Sequence, residues 1–171
     1  MAKKAKKAKA QPKKKVLPVP KGYHAVTAYL SIRGAAQAID FYKRAFGAKE
    51  LLRMPGPDGK VGHAELRIGD SHVMLADEMP AMQFLAPPAR GGTTVHLHLY
   101  VNDVDATVEK AVAAGAKVTR AIEDKFYGDR AGTIEDPYGH VWYVATHTED
   151  LSPKEIGRRM DEMMKKMGSA G

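Results

Sequence analysis

An alternating strand, an amphipathic helix closed by Gly-Ala-Lys, and then further strands occur twice along this chain, about 70 residues apart. The first copy runs from Val26 to Ile32, then Ala36 to Phe46, then Gly47-Ala48-Lys49. The second runs from Val95 to Val101, then Val104 to Ala114, then Gly115-Ala116-Lys117. A duplicated unit of this size folds into two like halves, and two like halves facing one another can enclose a cleft. At 171 residues the chain has enough material to bury a core in one compact domain or two intimately packed half-domains.

The formal charge of +7 suggests a polyanion partner until it is located. Eight of the 27 lysines and arginines fall within residues 1–15, which hold no acid, leaving 19 basic against 20 acidic side chains elsewhere. The body is therefore near neutral. Rich in Ala, Lys and Pro and poor in large apolar groups, the segment cannot offset its ordering entropy and is expected to be a disordered arm. Such an arm acts as a solubilising tail or holds polyanions weakly and non-specifically through counterion release. It has no apolar core of a secretory signal, and no stretch of the chain is long and apolar enough to span a bilayer. The chain has no cysteine, which excludes a disulfide framework and thiolate chemistry and fits a cytoplasmic location.

Val16 to Gly22, with Pro18 and Pro20, reads as an extended linker, so residues 1–22 form tail and linker. The folded body covers 23–150. Val26, Ala28, Leu30 and Ile32 alternate with Thr27, Tyr29 and Ser31, the period of a half-buried strand. Ala38, Ile39, Tyr42, Ala45 and Phe46 make one apolar helical stripe, capped by Gly47. Strands at Leu51–Met54, Val61–Ile68 and His72–Ala76 follow, separated by Pro55-Gly56-Pro57-Asp58-Gly59 and by a tight Gly69-Asp70 turn. Residues 23–78 thus read βαβββ. A Pro/Gly-rich linker at 79–93 leads to a second βαβββ module at 94–148, with strands at 94–101, 117–122, 131–135 and 140–146. In 151–171, Ser152-Pro153-Lys154-Glu155 starts a terminal helix. Its Ile156, Met160, Met163, Met164 and Met167 form a stripe suited to packing on the domain, on a sister chain or on another partner.

The segments Ala38-Ile39-Asp40-Phe41-Tyr42, Phe46-Gly47-Ala48, His63-Ala64-Glu65-Leu66, Phe126-Tyr127-Gly128-Asp129-Arg130 and Asp136-Pro137-Tyr138-Gly139-His140-Val141-Trp142 carry a resemblance over roughly residues 23–150. Their order resembles the vicinal oxygen chelate superfamily of glyoxalase I, bleomycin-resistance proteins and extradiol dioxygenases, and above all its PhnB-like subgroup. The resemblance implies an α+β fold: two βαβββ modules in tandem forming a curled mixed β-sheet cleft, here with an added C-terminal helix, commonly as a homodimer. It also implies a divalent metal held by the first and last strand of each module. In this chain those positions are Thr27, Met74, His96 and Tyr143, and only His96 is an ordinary ligand for a first-row divalent ion. The expectation is a degenerate metal site and no resident cofactor.

Strand parity gives the polar wall independently. If the alternate apolar residues pack under the helices, then Thr27, Tyr29, His63, Glu65, Arg67, His72, Met74, His96, His98, Tyr100 and Tyr143 face the cleft. The Gly69-Asp70 turn sets Glu65 opposite Met74 and Arg67 opposite His72. In the segment Phe126 to Arg130, two aromatics beside an Asp and an Arg are placed to close over a planar or anionic ligand, Arg130 as a charged clamp. This wall suits a small-molecule binding cleft. The alternative is a displaced metal site of His63, Glu65, His96 and His98 serving a lyase, isomerase or dioxygenase. Metal-free acid/base chemistry would fall to Glu65, shifted toward neutrality by partial burial, and a histidine. There is no Gly-x-Ser-x-Gly and no Walker-type phosphate loop.

Overall fold

A computed structural model describes residues 16–168; the Lys-rich stretch 1–15 lies outside the described residues. Residues 16–27 contain no helix or strand. The first module comprises β1 (Ala28–Ile32), α1 (Ala35–Phe46), β2 (Lys49–Pro55), β3 (Val61–Ile68) and β4 (Ser71–Asp77). The second comprises β5 (His96–Tyr100), α2 (Val104–Ala113), β6 (Lys117–Asp124), β7 (Asp129–Glu135) and β8 (Val141–His147), and α3 (Pro153–Gly168) follows. The sheets have the equivalent orders β1-β4-β3-β2 and β5-β8-β7-β6, with one parallel pair each. Among the described residues no helix is long and apolar enough to cross a membrane.

Both helices begin where the last strand of their module ends. Asp77 Oδ1 accepts from Gly34 N and Ala35 N, each at 3.0 Å, and so holds the first turn of α1. In the second module Thr146 Oγ1 accepts from Val104 N at 2.8 Å, and Asp103 Oδ1 accepts from Ala106 N at 2.9 Å. Gly47 ends α1 with φ +64°, a conformation that costs an L side chain energy, and Ala48 N returns to Tyr42 O.

Each helix covers one face of its own sheet, and α1 packs on α2, so the apolar sets merge into one core. Phe46 lies 4.7 Å and Tyr42 5.5 Å, ring to ring, from Trp142. Asp136, 3% exposed, ties the modules together. Its Oδ2 accepts from Tyr42 Oη (2.7 Å) and Trp142 Nε1 (2.9 Å), and its Oδ1 from Tyr138 N and His140 N (both 2.9 Å). His140 adds a second tie, donating from Nε2 to Ser31 O at 3.2 Å, and its burial lowers its pKa, which keeps the ring neutral.

Several strand ends differ from the sequence expectation. Pairing of β1 with β4 begins at Ala28, so Val26 falls outside the strand and is 88% exposed. In the second module Val95 is likewise left outside β5. β2 runs over Lys49–Pro55 with irregular register at both ends, β6 continues to Asp124, and β7 starts two residues earlier than expected. The linker is not simply extended: short 3-10 turns at Pro80–Met82 and Pro87–Arg90, with a Met79–Phe84 bridge, fold it back as a strap.

Candidate functional site

Parity along the strands sorts the side chains as expected. Leu30, Ala64, Leu66, Val73 and Leu75 are buried on the helix side, and the register sets Glu65 against Met74 and Arg67 against His72. The opposite face of the first sheet carries a hydrogen-bonded row. His63 Nε2 reaches Glu65 Oε1 at 3.3 Å, and its Nδ1 reaches Tyr29 Oη at 3.0 Å. A carboxylate only accepts, so in the neutral ring Nε2 carries the proton and Nδ1 accepts the Tyr29 hydroxyl. Tyr23, which stacks on His72, donates to the other oxygen of Glu65. The Tyr23 hydroxyl foremost, and then His63, lower the Glu65 pKa. This corrects the expectation of a glutamate poised toward neutrality: donated hydrogen bonds outweigh partial burial.

The second sheet forms a cavity of about 690 Å³ lined by His96, His98, Tyr100, Tyr127, Asp129 and Tyr143, among others, with Met163 of α3 at one side. The His98 ring stands 4.6 Å from that of Tyr100 and 4.8 Å from that of Tyr143. Asp129, 3% exposed, accepts from Tyr100 Oη (3.0 Å) and from His147 Nδ1 (2.7 Å). Tyr127 and Tyr143 share a hydrogen bond between their hydroxyls. Burial first, and then that bond, push the Tyr127 pKa up; the Asp129 hydrogen bond raises that of Tyr100. Both phenols stay protonated at neutral pH. At the rim Lys125 is paired with Glu123 at 2.6 Å.

Phe126 lines this cavity as well as a groove beside α3, while Met160, Met164 and Met167 remain exposed. Arg130 does not clamp the site. It makes a bidentate ion pair with Asp105 of α2 (2.7 and 2.8 Å) and reaches Asp124 at 3.2 Å. The reason is parity: β7 starts at Asp129, so Asp129 takes the cavity face and Arg130 the other. Thr27 stands outside β1 in a smaller cavity of about 320 Å³ at the module junction, with His98 and Tyr100.

The expected cleft walls do not all meet in one space within a single chain: the modules are joined through α1, α2 and the aromatic core, and the cavities that both modules line, of about 670 and 320 Å³, hold only Thr27, Tyr29, His72, His98 and Tyr100 of that wall. His63, Glu65 and Met74 lie outside the 690 Å³ cavity. Among the described residues no three His, Asp or Glu side chains gather as a metal site, so His63 and Glu65 stand apart from His96 and His98. His147 and the buried, inward place of Asp129 are not among the features expected from the sequence. The signal for Asp129 was its motif beside Tyr127, which strand parity extended two residues upstream would have turned inward.

The family model of the Glyoxalase/Bleomycin resistance protein/Dioxygenase superfamily matches residues 24–144. Over 150 residues the chain is 45% identical to an uncharacterized protein of Mycobacterium bovis, Mb0911c, covering 86% of this chain and 94% of that one. Among solved structures it is similar to TioX from Micromonospora sp. ML1, with a TM-score of 0.57 and 28% identity over 75% of this chain and 100% of that one. A PhnB protein from Bacillus cereus, described as a putative 3-demethylubiquinone-9 3-methyltransferase, shares the fold at TM-score 0.56 and 16% identity, over 72% of this chain and 99% of that one. Two βαβββ modules of equivalent strand order and a family match spanning both of them make this chain a member of the glyoxalase/bleomycin resistance protein/dioxygenase superfamily.

Proposed function

We propose that the protein binds a small organic molecule in the aromatic cavity of its second module, with the polar wall of the first module from a second copy of the chain closing over it. The observation that carries this reading is the His98 ring packed against those of Tyr100 and Tyr143, with the Tyr100 hydroxyl bonded to a buried carboxylate. Asp129 fixes the Tyr100 hydroxyl, and Tyr127 fixes that of Tyr143. The result is a preorganised cluster of tilted rings with protonated phenols at its edge, suited to an aromatic ligand with hydrogen-bonding groups. Polar residues left open on each sheet, on faces turned away from the helices, are what a homodimer would bring together.

The donor set at the four positions that family members use for a metal supports binding over metal chemistry. Thr27, Met74, His96 and Tyr143 do not fit a hard or borderline divalent ion, because one imidazole is the only good donor among them.

A thermal-shift screen of small aromatic and heteroaromatic compounds tests the reading. A ligand at a hundredfold excess over its Kd stabilises by about 2.7 kcal/mol. In a chain of this size that is roughly 5–11 °C in Tm. His98→Ala is expected to abolish the shift while leaving the unliganded Tm near the parent value. Shifts that persist in His98→Ala would overturn the site. Stoichiometric divalent metal in the purified protein, lost in both His63→Ala and His98→Ala, would replace binding with metal-dependent chemistry. Sedimentation as a monomer at micromolar concentration would remove the second copy from the proposal.

A further inference from the structure

A second cavity, of about 670 Å³, lies between β1, the 79–93 strap and the start of β5, and shares no lining residue with the His98 cavity. We propose that it is a separate binding site for an amphipathic monoanion, a small carboxylate with an apolar tail, held by Arg90 at the mouth and by Leu30, Phe84, Leu85 and Leu97 within. Its volume falls in the range of small-molecule sites, roughly 300–1,000 Å³.

The charge argument is direct. Among the described residues no acidic side chain lines this cavity, and Arg90 is exposed and makes no ion pair. Its one hydrogen bond is a long one, 3.4 Å, to Gln83 O. Other arginines of the fold are spent: Arg33 on Glu78, Arg53 on Glu50, Arg130 on Asp105 and Asp124. Glu78, the nearest acid along the strap, is committed to Arg33 and to Ala86 N. The other basic lining residue, His140, is kept neutral by burial and points its Nε2 proton at Ser31 O. Arg90 therefore supplies the cavity's one positive charge.

The strap is held in a costly conformation to roof this space. Gln83 adopts φ +58°, left-handed backbone that a long side chain rarely takes. That turn delivers Phe84 onto Tyr29, with ring centroids 5.2 Å apart. Strain of this kind persists where the surrounding structure enforces it, and it clusters at ligand clamps.

Titration calorimetry with decanoate and with decan-1-ol, its neutral analogue of equal length, tests the proposal on the full chain. Decanoate is expected to bind saturably with one site per chain and on the order of tenfold more tightly than the alcohol, the size of one charge-assisted hydrogen bond. Arg90→Gln should remove that difference by weakening decanoate alone. Thr94→Trp, an exposed rim position that tolerates bulk, should weaken both ligands by plugging the mouth. His98→Ala should change neither. The proposal is overturned by absence of saturable binding, by equal affinity for acid and alcohol, by an unchanged decanoate affinity in Arg90→Gln, or by loss of binding in His98→Ala, which would move the ligand to the other cavity.

Discussion

Replacing Asp136 by asparagine changes almost no volume and should be among the most damaging single substitutions in this fold. The carboxylate accepts four hydrogen bonds, two on each oxygen, from Tyr42, Trp142 and two backbone amides. An amide has a single acceptor oxygen. If that oxygen keeps the backbone pair, its NH2 faces the Trp142 N–H and the Tyr42 hydroxyl. The hydroxyl can rotate and accept, but the indole N–H cannot, and it is left as an unpaired buried donor at a cost of about 1–3 kcal/mol. The three surviving bonds lose their charge assistance, worth another ~1–2 kcal/mol together. The expected loss is about 3 kcal/mol, or roughly 6–12 °C in Tm for a chain of this length. Trp142 is the chain's one tryptophan and sits at the module junction, so urea unfolding followed by its fluorescence reads the right place. Tyr42→Phe should cost less alone and little in the Asp136→Asn background, because the pair shares one network. An Asp136→Asn protein within about 0.5 kcal/mol of the parent, the range of ordinary surface changes, would show that aromatic packing alone joins the modules.

Gly128→Ala is expected to lose at least about 2 kcal/mol, from left-handed backbone and a steric clash together. The residue sits at φ +95°, and an added Cβ would meet Glu149 O at 2.3 Å; denaturant titration measures the loss. The His147 pKa is raised, chiefly by Asp129 and then by Asp150. A raised folded pKa means that the stabilisation is whole below the ordinary value of 6.5 and is lost as pH rises through the folded value. NMR titration of the imidazole checks it, and a midpoint at or below 6.5 would refute the Asp129 contact. Ser152→Ala should cost α3 about 0.5–2 kcal/mol, because Ser152 Oγ caps Glu155 N at 3.2 Å; a fall in far-ultraviolet ellipticity would show it.

Period and punctuation make most of the frame legible in the sequence. Alternation in β1, β3 and β5 chose the buried face, and the Gly69-Asp70 turn set the β3–β4 register to the residue. Those signals are local, and what escaped was non-local. How two modules join depends on helix–helix and aromatic contacts between residues about a hundred positions apart, such as Tyr42 with Asp136 and Trp142. That junction decides whether the polar faces meet within one chain. Asp-Pro-x-Gly at 136–139 explains itself locally as a turn, and that local sufficiency hides the second oxygen of Asp136, which serves the core. Arg130 differs for a smaller reason: β7 begins two residues earlier than its apolar run, so Arg130 lies within the strand, on the face opposite Asp129 and toward Asp105 of α2, not in a loop over the cavity.

The duplicated frame also shows where the two copies have parted. Position for position, Asp77 of the first module answers to Thr146 of the second, and both side chains accept from the first turn of their helix. Tyr29 opposite Met74 answers to His98 opposite Tyr143 in the parallel ladders. The third strands diverge completely on the face turned away from the helices. Glu65, paired with Met74, answers to Thr133, paired with Tyr143, so His63 two residues earlier answers to Ala131. The carboxylate of the second wall comes instead from Asp129, at the start of its strand, buried and bonded to the Tyr100 hydroxyl. One wall therefore carries an open, hydrogen-bonded His–Glu–Tyr row, and the other an aromatic cluster bonded to a buried acid. A ligand held between the two kinds of wall would meet different chemistry on each side, so its two faces must differ as well.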